Sequence, residues 1–147
     1  FPGLISHQAL PGGGTTDYAV HISYDAVRTG RYTSFIAPRT FMDMMYMPDA
    51  LEAVVKLMEA DPAKLVHRNS FNITAMSFDP EGIAASIRKH IPGFAISYDV
   101  DPMRQAIADS WPDSLDCSAA RDEWGFEPKY DLDRMTADML ARLKERI

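Results

Sequence analysis

An α/β fold with an incomplete sheet is the class this sequence predicts, on three observations. Short β-rich runs alternate with helical periodicities along the chain, only about five such runs occur, and the first of them, Phe1–Ser6, has no partner before it in sequence. A length of 147 residues suits one domain with a sizeable core and is too short for a second full one.

Phe1–Ser6 is an apolar run closed by polar residues, the pattern of a buried strand. The bend Pro11-Gly12-Gly13-Gly14-Thr15-Thr16 then delivers the chain to a helix over Asp17–Arg28, where Ala19, Ile22 and Ala26 share a face and Gly30 is the stop. Tyr32–Ile36 and Met42–Met47 read as strands separated by Pro38 and Arg39. Pro48-Asp49 supplies a turn and cap before a helix on which Leu51, Val54, Val55 and Met58 recur with helical spacing and predict a core stripe. Ser70–Ile73 is a further short strand. Asp79-Pro80-Glu81 opens a helix burying Ile83, Ala84, Ile87 and Ile91. Phe94–Tyr98 alternates with period two and reads as a strand, and Pro102–Asp109 as a short helix running into Trp111-Pro112. Asp116 caps Cys117–Trp124, which Gly125 ends, and the last helix, Leu132–Ile147, is capped by Asp131 and sets Leu132, Met135, Met139 and Leu143 on one side.

Composition narrows the function classes. A formal charge of -6, from 21 acidic and 15 basic side chains without a basic run, argues against phosphate-backbone binding and so against a nucleic-acid partner. No apolar stretch approaches the roughly 18 residues of a membrane span. The lone Cys117 cannot form an intrachain disulfide, and His7, His21, His67 and His90 fit no zinc spacing, so no metal site is expected. An opening at Phe1 rather than Met reads as the second half of a protein, with any targeting segment outside it.

The glycine-rich bend carries the clearest chemistry. Unpaired amides and about half a unit of positive charge at a helix start can hold a carboxylate or phosphate. The bend matches neither a Walker loop nor a dinucleotide fingerprint, and Asp17 would repel a dianion, so a carboxylate or zwitterion helped by Thr15 and Thr16 suits it better. A flexible turn with a threonine cap explains the spacing equally well. Composition assigns Trp111 to the core, yet an indole between Ser110 and Pro112 could also close over a ligand as a lid. Trp124 reads as core. Asp99-Val100-Asp101 is a helix cap and turn rather than an acid-base pair, and there is no G-x-S-x-G elbow. Tyr24 with Arg28 and Tyr130 with Arg134 have the spacing of a Tyr-x-x-x-Lys pair, but arginine does not replace its lysine. The chain therefore offers no acid-base centre and no catalytic residue of its own.

Taken together, Pro2-Gly3-Leu4-Ile5-Ser6, Pro11–Ala19, Met44–Ala50, Phe71-Asn72-Ile73 with Ala75–Phe78, and Arg104–Pro112 resemble the NAD-dependent L-threonine 3-dehydrogenases of the extended short-chain dehydrogenase/reductase type. Asp49-Ala50 and Trp124–Pro128 are shared with nucleotide-sugar epimerases of the same superfamily; the Gly-Gly-Gly-Thr-Thr-Asp-Tyr and Gln-Ala-Ile-Ala-Asp-Ser-Trp-Pro runs are specific to the threonine enzymes. The resemblance implies that residues 1–147 are the substrate-binding C-terminal portion of a Rossmann-type fold with its last strands, the NAD-binding half and its catalytic Tyr, Lys and Ser or Thr lying outside this chain. It further implies that Pro2, Gly3, Leu4 and Ile5 pass beside the nicotinamide of NAD, that Gly14, Thr15 and Thr16 hold L-threonine, and that Trp111 covers it. A homodimer follows from the family, as does a compartment that is cytoplasmic in bacteria and mitochondrial in eukaryotes. The sequence departs from the family at Cys117, where a second acidic residue is expected after Asp116, and at Gly82, where a glutamate is usual. Half of a nucleotide-sugar epimerase or reductase is the alternative enzyme, for which Arg28, Arg31, Arg39 and Arg104 could neutralise a diphosphate. A non-catalytic binding or oligomerisation module is the alternative outside enzymes.

Overall fold

The computed structural model describes all of Phe1–Ile147. Its strands are β1 (Gly3–Ile5), β2 (Arg31–Ser34), β3 (Met42–Tyr46), β4 (Met76–Phe78) and β5 (Ala95–Tyr98). Its helices are α1 (Tyr18–Thr29), α2 (Met47–Glu59), α3 (Pro80–Arg88), α4 (Pro102–Asp109), α5 (Ser118–Trp124) and α6 (Leu132–Arg146). The strands form two small sheets instead of one. In the first, β1 lies parallel to β3, with Leu4 opposite Met45, and β4 lies antiparallel to β3, with Asp43 opposite Ser77. The second pairs β2 with β5 in parallel, Tyr32 opposite Ile96.

Every residue of β3 is buried, and the alternation of a strand divides its side chains between two cores. Met42, Met44 and Tyr46 join Ile5 in the larger cluster, which α1, α3 and α6 cover through residues such as Tyr18, Ile22, Ile83, Met139 and Leu143. Met45 joins Ala50, Ala53, Ile73, Cys117, Ala120 and Phe126 in the smaller one. Gly30 ends α1 with φ 69°, a backbone setting that glycine adopts without a Cβ penalty. Below β1, Tyr46 Oη donates to Asp138 at 2.9 Å and meets His7 Nδ1 at 2.8 Å, while Arg146 donates to the His7 carbonyl at 2.5 Å, so α6 secures the segment leaving β1.

Three local expectations are corrected. The α2 stripe is no core: Leu51, Val54, Val55 and Met58 are 61, 43, 52 and 80 % exposed, and the helix docks through Ala50 and Ala53 instead. Helical periodicity reports that an apolar face exists, and here small residues permit the close approach to Met45 while the large ones face outward. Pro48-Asp49 forms no turn. Both belong to the first turn of α2, and the buried Asp49 carboxylate accepts from the Lys129 and Tyr130 amides, each at 3.0 Å, tying the loop before α6 to α2. Ser70–Ile73 is not a strand, because Ile73 enters the smaller core by its side chain while its backbone runs on without a ladder partner until β4. Trp124 is half-buried against Phe71 and Phe126 at the edge of that core, with its Nε1 unpartnered.

Asp49→Ala strips two buried amides of a carboxylate partner, and thermal or denaturant unfolding should show a loss of about 2–4 kcal/mol. A methyl group on Gly3 would stand 2.6 Å from both Met44 Sδ and Thr16 Cγ2. Gly3→Ala should therefore cost about 1–3 kcal/mol by overpacking, read in the same experiment.

Candidate functional site

A cavity of about 400 Å³ opens between β1, a single 3-10 turn at Thr15–Asp17, β3 and the segment that follows α4. Its size is ordinary for a small-molecule site. Pro2, Gly3 and Leu4 form one wall with Phe1, and Thr16 faces them across the narrow gap that the missing Gly3 side chain leaves. Trp111, Pro112 and Leu115 close another side. Of the residues singled out in sequence, then, Pro2, Gly3, Leu4, Thr16 and Trp111 converge on one cavity.

The others do not. Ile5 is fully buried in the larger core, directly behind the wall its neighbours build. Thr15 is buried and Gly14 is exposed, and neither lines the cavity. The bend is also already satisfied: the Gly13 and Gly14 amides donate to Asp17 Oδ2 at 2.7 and 2.8 Å. The chain's own carboxylate thus occupies the amides that the sequence reading offered to a ligand, and neither threonine caps the turn, whose N-cap Gly14 has no side chain to do so. Trp111, assigned to the core on composition, is 44 % exposed at the cavity rim, its amide donating to the Ala108 carbonyl at 3.1 Å at the end of α4.

Sequence reasoning missed Asp43. It lies in the cavity wall yet is only 9 % exposed, and its Oδ2 has no hydrogen-bond partner. Burial pushes its carboxyl above the ordinary aspartate value, and the facing Thr74 hydroxyl and Leu115 amide offset only part of that. A lone carboxylate in the otherwise apolar run Met42–Met45 was the available signal.

No cationic side chain lines the cavity. Arg104 stacks on the Phe35 ring at 4.3 Å and Arg28 on Tyr24 at 5.4 Å, so two of the four arginines available for a diphosphate are engaged elsewhere. Arg134 likewise lies over Tyr130 at 5.4 Å, so both Tyr/Arg spacings are cation–ring stacks, the first within α1 and the second between the loop before α6 and its first turn. Asp101 caps α4 by accepting from the Met103 and Arg104 amides, at 2.9 and 3.2 Å. Burial raises the phenols of Tyr18, Tyr32, Tyr46 and Tyr98 above their ordinary value, the reverse of what a phenolic base requires. No three His, Cys, Asp or Glu side chains cluster as metal ligands would, and no helix is long and apolar enough to cross a membrane. With one hydroxyl, one buried carboxyl, an indole and an apolar wall, the cavity is equipped to bind and orient a small polar molecule.

No protein-family model matches the chain. An uncharacterized epimerase/dehydratase of Staphylococcus haemolyticus is 66% identical over 99% of the chain, which spans 46% of that protein. Among solved structures, the L-threonine dehydrogenase of Clostridium difficile is similar at 65% identity and a TM-score of 0.97, over 99% of this chain and 46% of that one. The L-threonine dehydrogenase of Phytophthora infestans matches at 49% identity and a TM-score of 0.97, over 100% of this chain and 47% of that one. The chain thus spans about half the length of the relatives it matches. In sequence and in fold it is similar to the C-terminal portion of the extended short-chain dehydrogenase-type L-threonine dehydrogenases.

Proposed function

We propose that this chain is the substrate-binding portion of an NAD-dependent L-threonine 3-dehydrogenase, oxidising the threonine 3-hydroxyl to the ketone of 2-amino-3-oxobutyrate. The observation that carries this reading is the convergence of Pro2, Gly3, Leu4, Thr16 and Trp111 on one cavity. A Rossmann-type N-terminal half brings the NAD site and the catalytic tyrosine and lysine, and the complete protein is a homodimer.

The residues present fit a nicotinamide. Pro2, Gly3 and Leu4 offer a small apolar wall without a charged side chain, and Ile5 stiffens it from the core side. When bound, NAD supplies the acceptor for the hydride leaving carbon 3. Thr16 presents a hydroxyl to the amino acid, Trp111 covers it and excludes water, and Gly14 with Thr15 sets the turn that aims Thr16. The Asp17 carboxylate holds that turn closed from within.

Support for a covering half comes from an apolar surface that shares Phe1 with the cavity. The exposed α2 stripe borders an entirely apolar cleft of about 220 Å³ shared by Phe1, Ala53, Val54, Leu57, Met58 and Trp124, among others. Beside it, β1 is paired on one edge alone. Surfaces of this kind are normally buried by another element.

The full-length protein tests the reading. Incubated with NAD, it should reduce the cofactor in a manner dependent on L-threonine, followed at the NADH absorbance, and Thr16→Ala or Trp111→Ala should each raise the threonine KM about tenfold or more. The 147 residues alone should yield no NADH. Stabilisation by a UDP-sugar, without threonine turnover in the full-length protein, would replace the reading with the epimerase alternative.

A further inference from the structure

Three aspartates are buried in this chain, Asp43, Asp49 and Asp79. Two of them are fully engaged within it. Each oxygen of Asp49 accepts from a backbone amide, of Lys129 and Tyr130, and each oxygen of Asp79 does so from Gly82 at 2.9 Å and Arg39 at 3.1 Å. Asp43 is the exception. It is 9 % exposed, its Oδ2 has no hydrogen-bond partner, and none of the ion pairs of the chain includes it. Ser77, directly opposite on β4, donates its hydroxyl to the Asp113 carbonyl at 2.5 Å and is committed there. A buried carboxylate without a partner is costly, and position 43 lies in a run of methionines where an apolar side chain would carry no such cost.

Beside Asp43 is the cavity, whose wall it forms together with Thr16 and Trp111, and no other side chain lining that cavity is ionisable. We infer that Asp43 is the counter-ion for a primary ammonium group bound in the cavity and selects the substrate by its α-amino group. The inference rests on reading the cavity as the amino-acid site. A neutral ligand would leave the buried charge uncompensated, and an anion would be repelled by it. An ammonium supplies both a compensating charge and three hydrogen-bond donors. The carboxylate nearest in sequence to Thr16, that of Asp17, is no rival for this role, because it already accepts from the Gly13 and Gly14 amides. Burial pushes the Asp43 carboxyl above the ordinary aspartate value, and a cation held against it favours the ionised form again.

Three probes of the full-length protein decide it: L-threonine, (R)-3-hydroxybutanoate, which lacks only the amino group, and 1-amino-2-propanol, which lacks only the carboxylate. With NAD, the parent should oxidise threonine with a KM about tenfold or more below that of (R)-3-hydroxybutanoate, and millimolar 1-amino-2-propanol should raise its melting temperature. Asp43→Asn, of nearly the same shape, should raise the threonine KM about thirtyfold or more and leave (R)-3-hydroxybutanoate oxidation within about twofold. The same variant should lose the stabilisation by 1-amino-2-propanol, while its melting temperature without ligand should be no lower than the parent's, since the amide removes an unpaired charge. A threonine KM within about threefold of the parent's, or an equal rise for both substrates, overturns the inference. A lower melting temperature with both activities impaired overturns it too, by marking Asp43 as structural. Absence of threonine turnover by the parent would sink the reading of the site instead; Asp43 then stands if 1-amino-2-propanol stabilises the parent and not Asp43→Asn, and falls otherwise.

Discussion

Burial of β3 on both faces is the constraint from which the rest of this structure follows. A strand with no solvent-facing side must send alternate residues into two separate cores, and Met42, Met44 and Tyr46 serve one while Met45 serves the other. The parallel pairing with β1 then carries Pro2, Gly3 and Leu4 to the cavity beside Thr16, because the register sets Gly3 against Met44 and leaves only a glycine-sized gap for the threonine. The antiparallel pairing with β4 brings Ser77 alongside Asp43 on the opposite edge. Cavity wall, turn and covering segment are thus all referenced to five residues.

The polar groups built into this frame act mostly within the chain. Asp49 fastens the loop before α6 to α2, Asp17 closes the glycine-rich bend on itself, and Tyr46 with His7 and Asp138 links β1 to α6. Each is a buried or half-buried polar side chain taking a specific backbone or side-chain partner, which sets geometry more narrowly than apolar packing can. What remains for a ligand is modest: a hydroxyl, a buried carboxyl, an indole and an apolar wall. A site so equipped can bind and orient a small polar molecule, and under the proposed reading the acid-base groups come from other residues.

Regularity of the apolar pattern explains both the successes and the main error of the sequence reading. Ala19, Ile22 and Ala26 on α1, and Met135, Met139 and Leu143 on α6, fall on buried faces because the elements that cover them belong to the same chain. Leu51, Val54, Val55 and Met58 have an equally regular spacing and are exposed. Nothing in a helical period distinguishes a face turned inward from one left exposed. Asp43 was legible only as a lone carboxylate in an apolar run, and its place in the cavity wall beside Thr74 and opposite Ser77 emerges only in space.

Local chemistry in the sequence determined where helices start and stop, through Asp79, Asp101 and Asp131 as caps and Gly30 and Gly125 as ends, and it carried the α/β class and the likeness to the L-threonine dehydrogenases. These depend on interactions spanning a few residues, or on motifs that survive as strings. Tertiary structure alone decided that Asp17, not a ligand, satisfies the bend, that Thr16 and not Thr15 reaches the cavity, and that Trp111 lies at its rim. Each outcome turns on which groups meet across strands and loops far apart in the chain, and amino-acid order constrains those meetings only through the fold it produces.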